Sequence, residues 1–269
     1  MRVHHVNCGT MCPLGFAFMK VEPAPHKLVC HVLILETEAG LVLVDTGVGT
    51  ADIARPERLG GGFNAVARPA LDANETALAH VERLGFKVDD VRHIVPTHLD
   101  LDHAGGLADF PKAKVHLFAR EHEAAMARAT LLEKHRYMPH HWAHSPDWAL
   151  YETGGERWFG FDCVRQLEGL PPEILIVPTV GHTRGHSAIA VDDGSGFLVH
   201  AGDAYFHRNE MDPERPRCPA ALSWFQRTAA VDNTARVRNQ ERLRLLKRDQ
   251  KIRMFSAHDP VEAAGYGVS

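Results

Sequence analysis

The run Thr97-His98-Leu99-Asp100-Leu101-Asp102-His103-Ala104-Gly105-Gly106 places two histidines and two aspartates within six residues. Imidazole and carboxylate together form the ligand set of zinc, iron or manganese. An apolar stretch that reads as a strand, His93-Ile94-Val95-Pro96, leads into the run, and a Gly-containing, helix-like stretch follows it. The four side chains therefore fall on a tight turn at a strand end, where they can converge on a cation. The competing explanation is a solvated polar cluster in a chain with 19 histidines.

Other strand ends argue against that explanation. Gly181-His182-Thr183-Arg184-Gly185-His186 follows an apolar strand at 174–177. His200-Ala201-Gly202-Asp203 ends a second at 197–199, and Ser256-Ala257-His258-Asp259 ends a third at 252–255. Upstream, Leu41-Val42-Leu43-Val44-Asp45-Thr46-Gly47 has the same form. Each motif puts a candidate ligand just past a strand, where loops on a rigid sheet build sites.

In this order the motifs resemble the metallo-β-lactamase superfamily of binuclear metallohydrolases. That family's pattern is Asp-Thr-Gly, His-x-His-x-Asp-His, Gly-His-Thr-x-Gly-His, Gly-Asp and a late His, matched here between residues 45 and 258. The resemblance implies an α/β fold of the αββα type, two central mixed sheets flanked by helices. It implies a first metal on His98 and His182 with Asp100 as third ligand, a second on Asp102, His103 and His258, and Asp203 bridging the two. It makes Asp45 an orienting partner of the ligand loops and His186 a structural residue near the ligands. Zinc is the first expectation for both ions.

Asp100 departs from the pattern, because the family has histidine there. The flavodiiron reductases carry a glutamate at that point and bind two irons. A carboxylate is a harder ligand than imidazole, which brings iron or manganese into consideration. Three aspartates against two divalent ions leave about one net positive charge, so a bound water is less acidic than beside two aspartates.

The resemblance is specific for fold and weak for substrate, since one scaffold serves lactams, thioesters, lactones and phosphodiesters. The expected function is metal-dependent hydrolysis of a carbonyl ester, a lactone or thioester first, by water activated between the metals. A Gly-x-Ser-x-Gly nucleophile elbow is not found in the sequence. Asp102 is expected to orient the water and shuttle a proton. Tyr205 is a candidate oxyanion stabiliser, although lactone-hydrolysing relatives carry their tyrosine one position later, where this chain has Phe206. Trp142, Trp148, Arg184 and His207 are candidate substrate contacts. Two alternatives are a diiron redox protein related to the flavodiiron reductases and a non-catalytic small-molecule-binding relative.

The 269 residues fit one domain, 1–269, because the motifs span them with no linker. A net charge of −4 argues against nucleic acid as partner. No apolar run is long enough to cross a bilayer and no signal-peptide core follows residues 1–5, so a cytoplasmic protein with a small-molecule substrate is expected. Oligomeric state is left open, a homodimer included. Cys8, Cys12, Cys30, Cys163 and Cys218 read as reduced thiols.

The elements that must position these residues are strands at 27–36, 41–45, 114–118, 187–191 and 197–199. Helices are expected after Asn74, at 120–135 and at 232–247. Residues 48–73, with Gly60-Gly61-Gly62, read as a loop. Residues 136–161 break all periodicity and hold many aromatics, which suggests a lid or pocket wall inserted into the domain.

Overall fold

Strand periodicity accounts for the layers. The structure, a computed structural model, describes residues 1–13, 27–152 and 154–268, with residues 162–166 described as backbone only. The first sheet holds β1 (Arg2–Asn7), β2 (His31–Thr37), β3 (Gly40–Val44), β4 (Val91–Val95), β5 (Lys114–Phe118) and β6 (Asp147–Tyr151), in that spatial order. The second holds β7 (Glu156–Trp158), β8 (Phe161–Gln166), β9 (Ile174–Pro178), β10 (Ser187–Asp192), β11 (Phe197–His200) and β12 (Ile252–Phe255), with β12 at one edge. Both sheets are mixed. β1, β2 and β3 pair antiparallel, β3 to β6 run parallel, and β12 lies parallel to β11 in an otherwise antiparallel second sheet.

Successive strand residues point to opposite faces, and here both faces are apolar. Leu33, Leu35, Val42, Val44 and Val95 pack between the sheets against Ile174, Ile176, Ile189, Val191 and Phe255. Their neighbours Val32, Ile34, Leu41, Leu43 and Ile94 face outward onto the helix residues Ala77, Val81, Ala124 and Ala125. On the far side Leu175, Val177, Ala188 and Ala190 meet Leu243 and Leu246 of the helix Asn233–Leu246. Helix, sheet, sheet, helix is the αββα sandwich. Each fully buried Leu or Ile contributes about 1.5–3 kcal/mol, so the order of layers is set by the alternating strands.

Several expectations need correction. The 48–73 segment is not a loop: it carries the helices Thr50–Ala54 and Gly61–Ala67 with a 3-10 turn, Pro56–Leu59, between them. The 120–135 helix is two, Ala119–Ala127 and Leu131–Arg136, broken where Arg128 takes φ 43°. Thr130 restarts it with a capping box to Glu133. The helix after Asn74 is capped by Thr76, whose side chain accepts the Ala79 amide. Residues 136–161 are not a long irregular insertion. They run through β6 and β7, the strands that end one sheet and begin the other. Among the described residues no helix is long and apolar enough to cross a membrane.

Candidate metal centre

The turns at the ends of β3, β4, β9, β11 and β12 meet where the two sheets are stitched together. His31 N–H donates to Ala257 O and Ser187 N–H to Thr97 O, one bond each way between the halves. Gly202, at φ 53°, lets the β11 turn approach the β4 turn. A Cβ there would meet His186 Nε2 at 2.7 Å and Thr97 Cβ at 2.9 Å.

Asp45 organises the histidine loop from behind. It sits at φ 62°, and its Oδ1 accepts the Thr97 amide at 2.6 Å. Its Oδ2 lies 2.8 Å from His103 Nδ1. Burial alone would raise its pKa, but the adjacent His103 holds it down at about 2. The Thr97 hydroxyl donates to Asp45 and so accepts from His98 Nδ1 at 2.9 Å. His258 Nδ1 donates to Val29 O at 2.7 Å. In His98, His103 and His258 alike, Nδ1 is tethered and the lone pair of Nε2 faces inward, the arrangement of a metal-binding imidazole.

Asp203 stands at the centre. Its Oδ1 lies 3.0 Å from His258 Nε2 and 3.3 Å from His103 Nε2. Its Oδ2 lies 3.3 Å from His182 Nε2 and 3.8 Å from His98 Nε2. One carboxylate therefore faces two histidine pairs with different oxygens. Asp100 Oδ2 closes the His98/His182 side, at 3.4 and 3.1 Å. Asp102 Oδ2 lies 3.7 Å from His258 Nε2 on the other. The structure thus brings His98, Asp100, Asp102, His103, His182, Asp203 and His258 into one cluster.

The donor set fits two cations. His103 Nε2 and His258 Nε2 lie 3.2 Å apart, tolerable for two inward lone pairs only with a proton or cation between them. Burial opposes charge on both imidazoles, yet the neighbouring Asp203 raises the pKa of each well above the usual value. His98 Nε2 and Asp100 Oδ1 are buried without a hydrogen-bond partner, a costly state unless something charged completes them. Three groupings of donor atoms within the cluster fall within 4.8 Å of one another: His98 with Asp100 and His182, His98 with His103 and Asp203, and Asp102 with His258 and Cys30.

Four residues at the centre were missed in the sequence. Cys30, in the last of those groupings, lies in no local motif that marks it as a ligand. Glu121 accepts the amides of Leu99 at 3.0 Å and Gly185 at 2.9 Å, joining the two ligand loops, and takes the Tyr137 hydroxyl at 2.9 Å. Arg136 Nη1 lies 3.2 Å from Asp100 Oδ2. Burial would raise the Asp100 pKa, and Arg136 with His98 instead drives it well below the carboxylate range. Phe206 stacks on His258, ring centroids 5.1 Å apart. No local motif marks Glu121 or Arg136, since both act through the tertiary fold.

The remaining candidates are placed elsewhere. Tyr205 is buried in the second core with its hydroxyl on Glu262, at 3.0 and 3.1 Å, so it does not face the cluster. Trp142 lies in the outer core of the first sheet, and Trp148 packs against that core with its ring on His122. Arg184 pairs with Glu133 at 2.6 Å, against a separate polar depression. His207 caps the 3-10 turn Arg208–Met211. None of these five lines the apolar cavity beside the cluster. His186 is buried, with Nδ1 on Thr179 and Nε2 accepting the Asp203 amide at 2.9 Å, so it positions Asp203. Cys8, Cys12, Cys30 and Cys218 are free thiols, and the Cys163 side chain lies outside the described residues.

This sandwich, with a histidine–aspartate cluster at one end, defines a metallohydrolase of the β-lactamase type. The chain belongs to the metallo-β-lactamase superfamily, whose sequence profile matches residues 27–257. It is 42% identical over 265 residues to a probable metallo-hydrolase of Mycobacterium tuberculosis, covering 97% of this chain and 81% of the relative. It is 24% identical to an N-acyl homoserine lactonase of Bacillus thuringiensis, covering 92% and 89% of the two chains. The fold is also that of an N-acyl homoserine lactone hydrolase solved with N-hexanoyl-L-homoserine at its catalytic metal centre. That match has a TM-score of 0.72 and 22% identity, over 98% of this chain and 95% of the other.

Proposed function

We propose that this protein is a binuclear metallohydrolase that opens a carbonyl ester, a lactone carrying an apolar acyl chain before a thioester. His98, His182 and Asp100 would hold one ion, His103, His258 and Asp102 the other, and Asp203 both. Bound there, such ions supply an activated water and polarise the scissile carbonyl. Zinc is the first choice for both.

The observation that carries this reading is a cavity of about 490 Å³ that opens on the cluster. Asp100, Asp102, His182, Asp203 and His258 form its polar end. Met11, Leu28, Phe63, Leu132, Leu222 and Phe225 form its walls. Such a space binds an aliphatic chain, each buried methylene contributing about 0.8 kcal/mol, and holds the polar head at the cluster. Among the described residues, the basic side chains lining it outside the cluster are Arg136 and His135. The lactonase relatives add support by name.

The side chains have separable tasks. Asp102 stands at the cavity wall, placed to take a proton from water on a carboxylate oxygen and pass it to the leaving alkoxide. Phe206 keeps bulk water from the His258 side. Where lactone-hydrolysing relatives have tyrosine, this chain has the Phe206 ring, and the Tyr205 hydroxyl is committed to Glu262. The Tyr205 phenol is therefore not available to an oxyanion, and ions held by the cluster would supply that stabilisation.

The test is metal analysis of protein reconstituted with zinc, iron or manganese, coupled to hydrolysis assays on acyl lactones, thioesters, phosphodiesters and β-lactams. About two ions per chain and turnover of lactones that improves with acyl length are expected. A metal-replete protein inert to the whole panel, yet consuming oxygen with a reductant, would establish the diiron reading instead.

A further inference from the structure

Asp100 introduces a negative charge where the family has a neutral imidazole, and the structure holds a compensating positive charge against it. Arg136 Nη1 lies 3.2 Å from Asp100 Oδ2, and both side chains are buried. Arg136 is the last residue of the helix Leu131–Arg136, whose start is fixed by the Thr130–Glu133 capping box. The same guanidinium donates to the His182 and Ala229 carbonyls, which pins it in place. Its Nη1 thus holds the backbone of one candidate ligand and the carboxylate of another.

We infer that Asp100 and Arg136 together replace one neutral histidine, with Arg136 a positioning residue that keeps the charge of the metal centre at the value it would have with histidine at position 100. This extends the binuclear reading above and depends on it. The charges are simple. Asp100, Asp102, Asp203 and Arg136 sum to −2, the same as a site with histidine at position 100 and no arginine. Asp100→His alone gives −1, Arg136→Gln alone gives −3, and the double variant returns to −2. At such short range in a site shielded from water, one unit of charge weighs strongly on a divalent ion. The pair also limits Asp100 as a ligand. Oδ2 is shared with Arg136 and His182, whereas Oδ1 is buried with no hydrogen-bond partner and remains free for a cation.

The experiment is equilibrium competition between the full-length protein and a chromophoric zinc chelator, with thermal unfolding of each metal-free variant as the folding control. The expected order of zinc affinity is Arg136→Gln tightest, wild type and Asp100→His/Arg136→Gln equal within about threefold, and Asp100→His weakest. Adjacent steps should differ by roughly tenfold or more. Arg136→Lys keeps the charge and should stay close to wild type, which separates charge from scaffolding. In the Asp100→His background, Arg136→Lys should leave binding weak and Arg136→Gln should restore it. Asp100→His as tight as wild type, or Arg136→Gln weaker than Arg136→Lys, overturns the inference while leaving a binuclear centre standing. A wild type that takes up no zinc, iron or manganese overturns both.

Discussion

Asp45 Oδ2 lies 2.8 Å from His103 Nδ1, and this one bond fixes which nitrogen of His103 faces Asp203. Asp45→Asn tests its worth. Asparagine tolerates the left-handed φ of 62° at that position and can still accept the Thr97 amide. It cannot hold the imidazole as a carboxylate does. Zinc affinity should fall about 10–100-fold, with little change in the circular dichroism of the metal-free protein. Undiminished affinity would remove Asp45 from the site.

Asp203 and Asp100 should differ in how much metal they retain. Each oxygen of Asp203 faces its own histidine pair, whereas Asp100 faces only His98 and His182. Asp203→Asn should therefore lose both equivalents on dialysis, and Asp100→Asn no more than one. Elemental analysis after reconstitution measures this. Equal losses in the two variants would contradict a bridging role for Asp203.

Glu121 is the backbone clamp of the site. Its carboxylate accepts two amides and a phenol, all buried. Glu121→Gln leaves one buried donor facing another, which costs about 1–3 kcal/mol. Tyr137→Phe removes a single hydroxyl and should cost less. The expected order of melting temperatures is wild type, then Tyr137→Phe, then Glu121→Gln. The Glu121→Gln protein should also retain less metal, because Leu99 and Gly185 carry the two ligand loops. An inverted order would assign the clamp to Tyr137.

Legibility of the sequence followed range. β5 and β12 match their expected bounds, and the ligand motifs lie where the strand ends were read. Those signals are local, since apolar strands and ligand-rich turns sit side by side in the chain. β1 and the helix Ala220–Ala229 were not anticipated, because β1 is short and the helix, though amphipathic, has no capping side chain to mark its start. Residues 136–161 also defeated the reading. Trp142 and Trp148 looked like a pocket wall, yet the crossing between sheets buries Trp142 and packs Trp148 against the core. Arg136 and Glu121 were invisible in principle, since their partners are 36 and 22 residues away in sequence.

The cavity walls should set acyl preference, and the tryptophans should not. Leu132 lines the cavity and is partly exposed. Leu132→Trp should shorten the space and lower kcat/KM for long acyl lactones relative to short ones. Trp142→Phe should lower the melting temperature and leave the ratio of long- to short-chain kcat/KM unchanged. A ratio that moves with Trp142 and not with Leu132 would place the acyl site elsewhere.

Glu262 gives stability a pH dependence that does not involve the metal ligands directly. Burial raises its pKa from 4.5 to about 7, with Asp259 adding to the effect, against opposing contributions from the Ser256 amide, Lys247 and Tyr205. The folded protein therefore keeps this proton between about pH 4.5 and 7, where the unfolded chain has lost it. A raised folded pKa means stability that is present below 4.5 and is lost progressively as pH rises through about 7. Glu262→Gln fixes the neutral form. With its carbonyl in the place of Oε2 it can accept both the Ser256 amide and the Tyr205 hydroxyl, the contacts that Glu262 makes through that oxygen. The variant should match wild type near pH 5 and exceed it at pH 8 by roughly 2–3 kcal/mol. Urea unfolding of the metal-free proteins at both pH values measures the difference. Parallel pH profiles for the two proteins would show that Glu262 ionises in the fold without penalty, and that the Tyr205–Glu262 pair is an ordinary charged hydrogen bond.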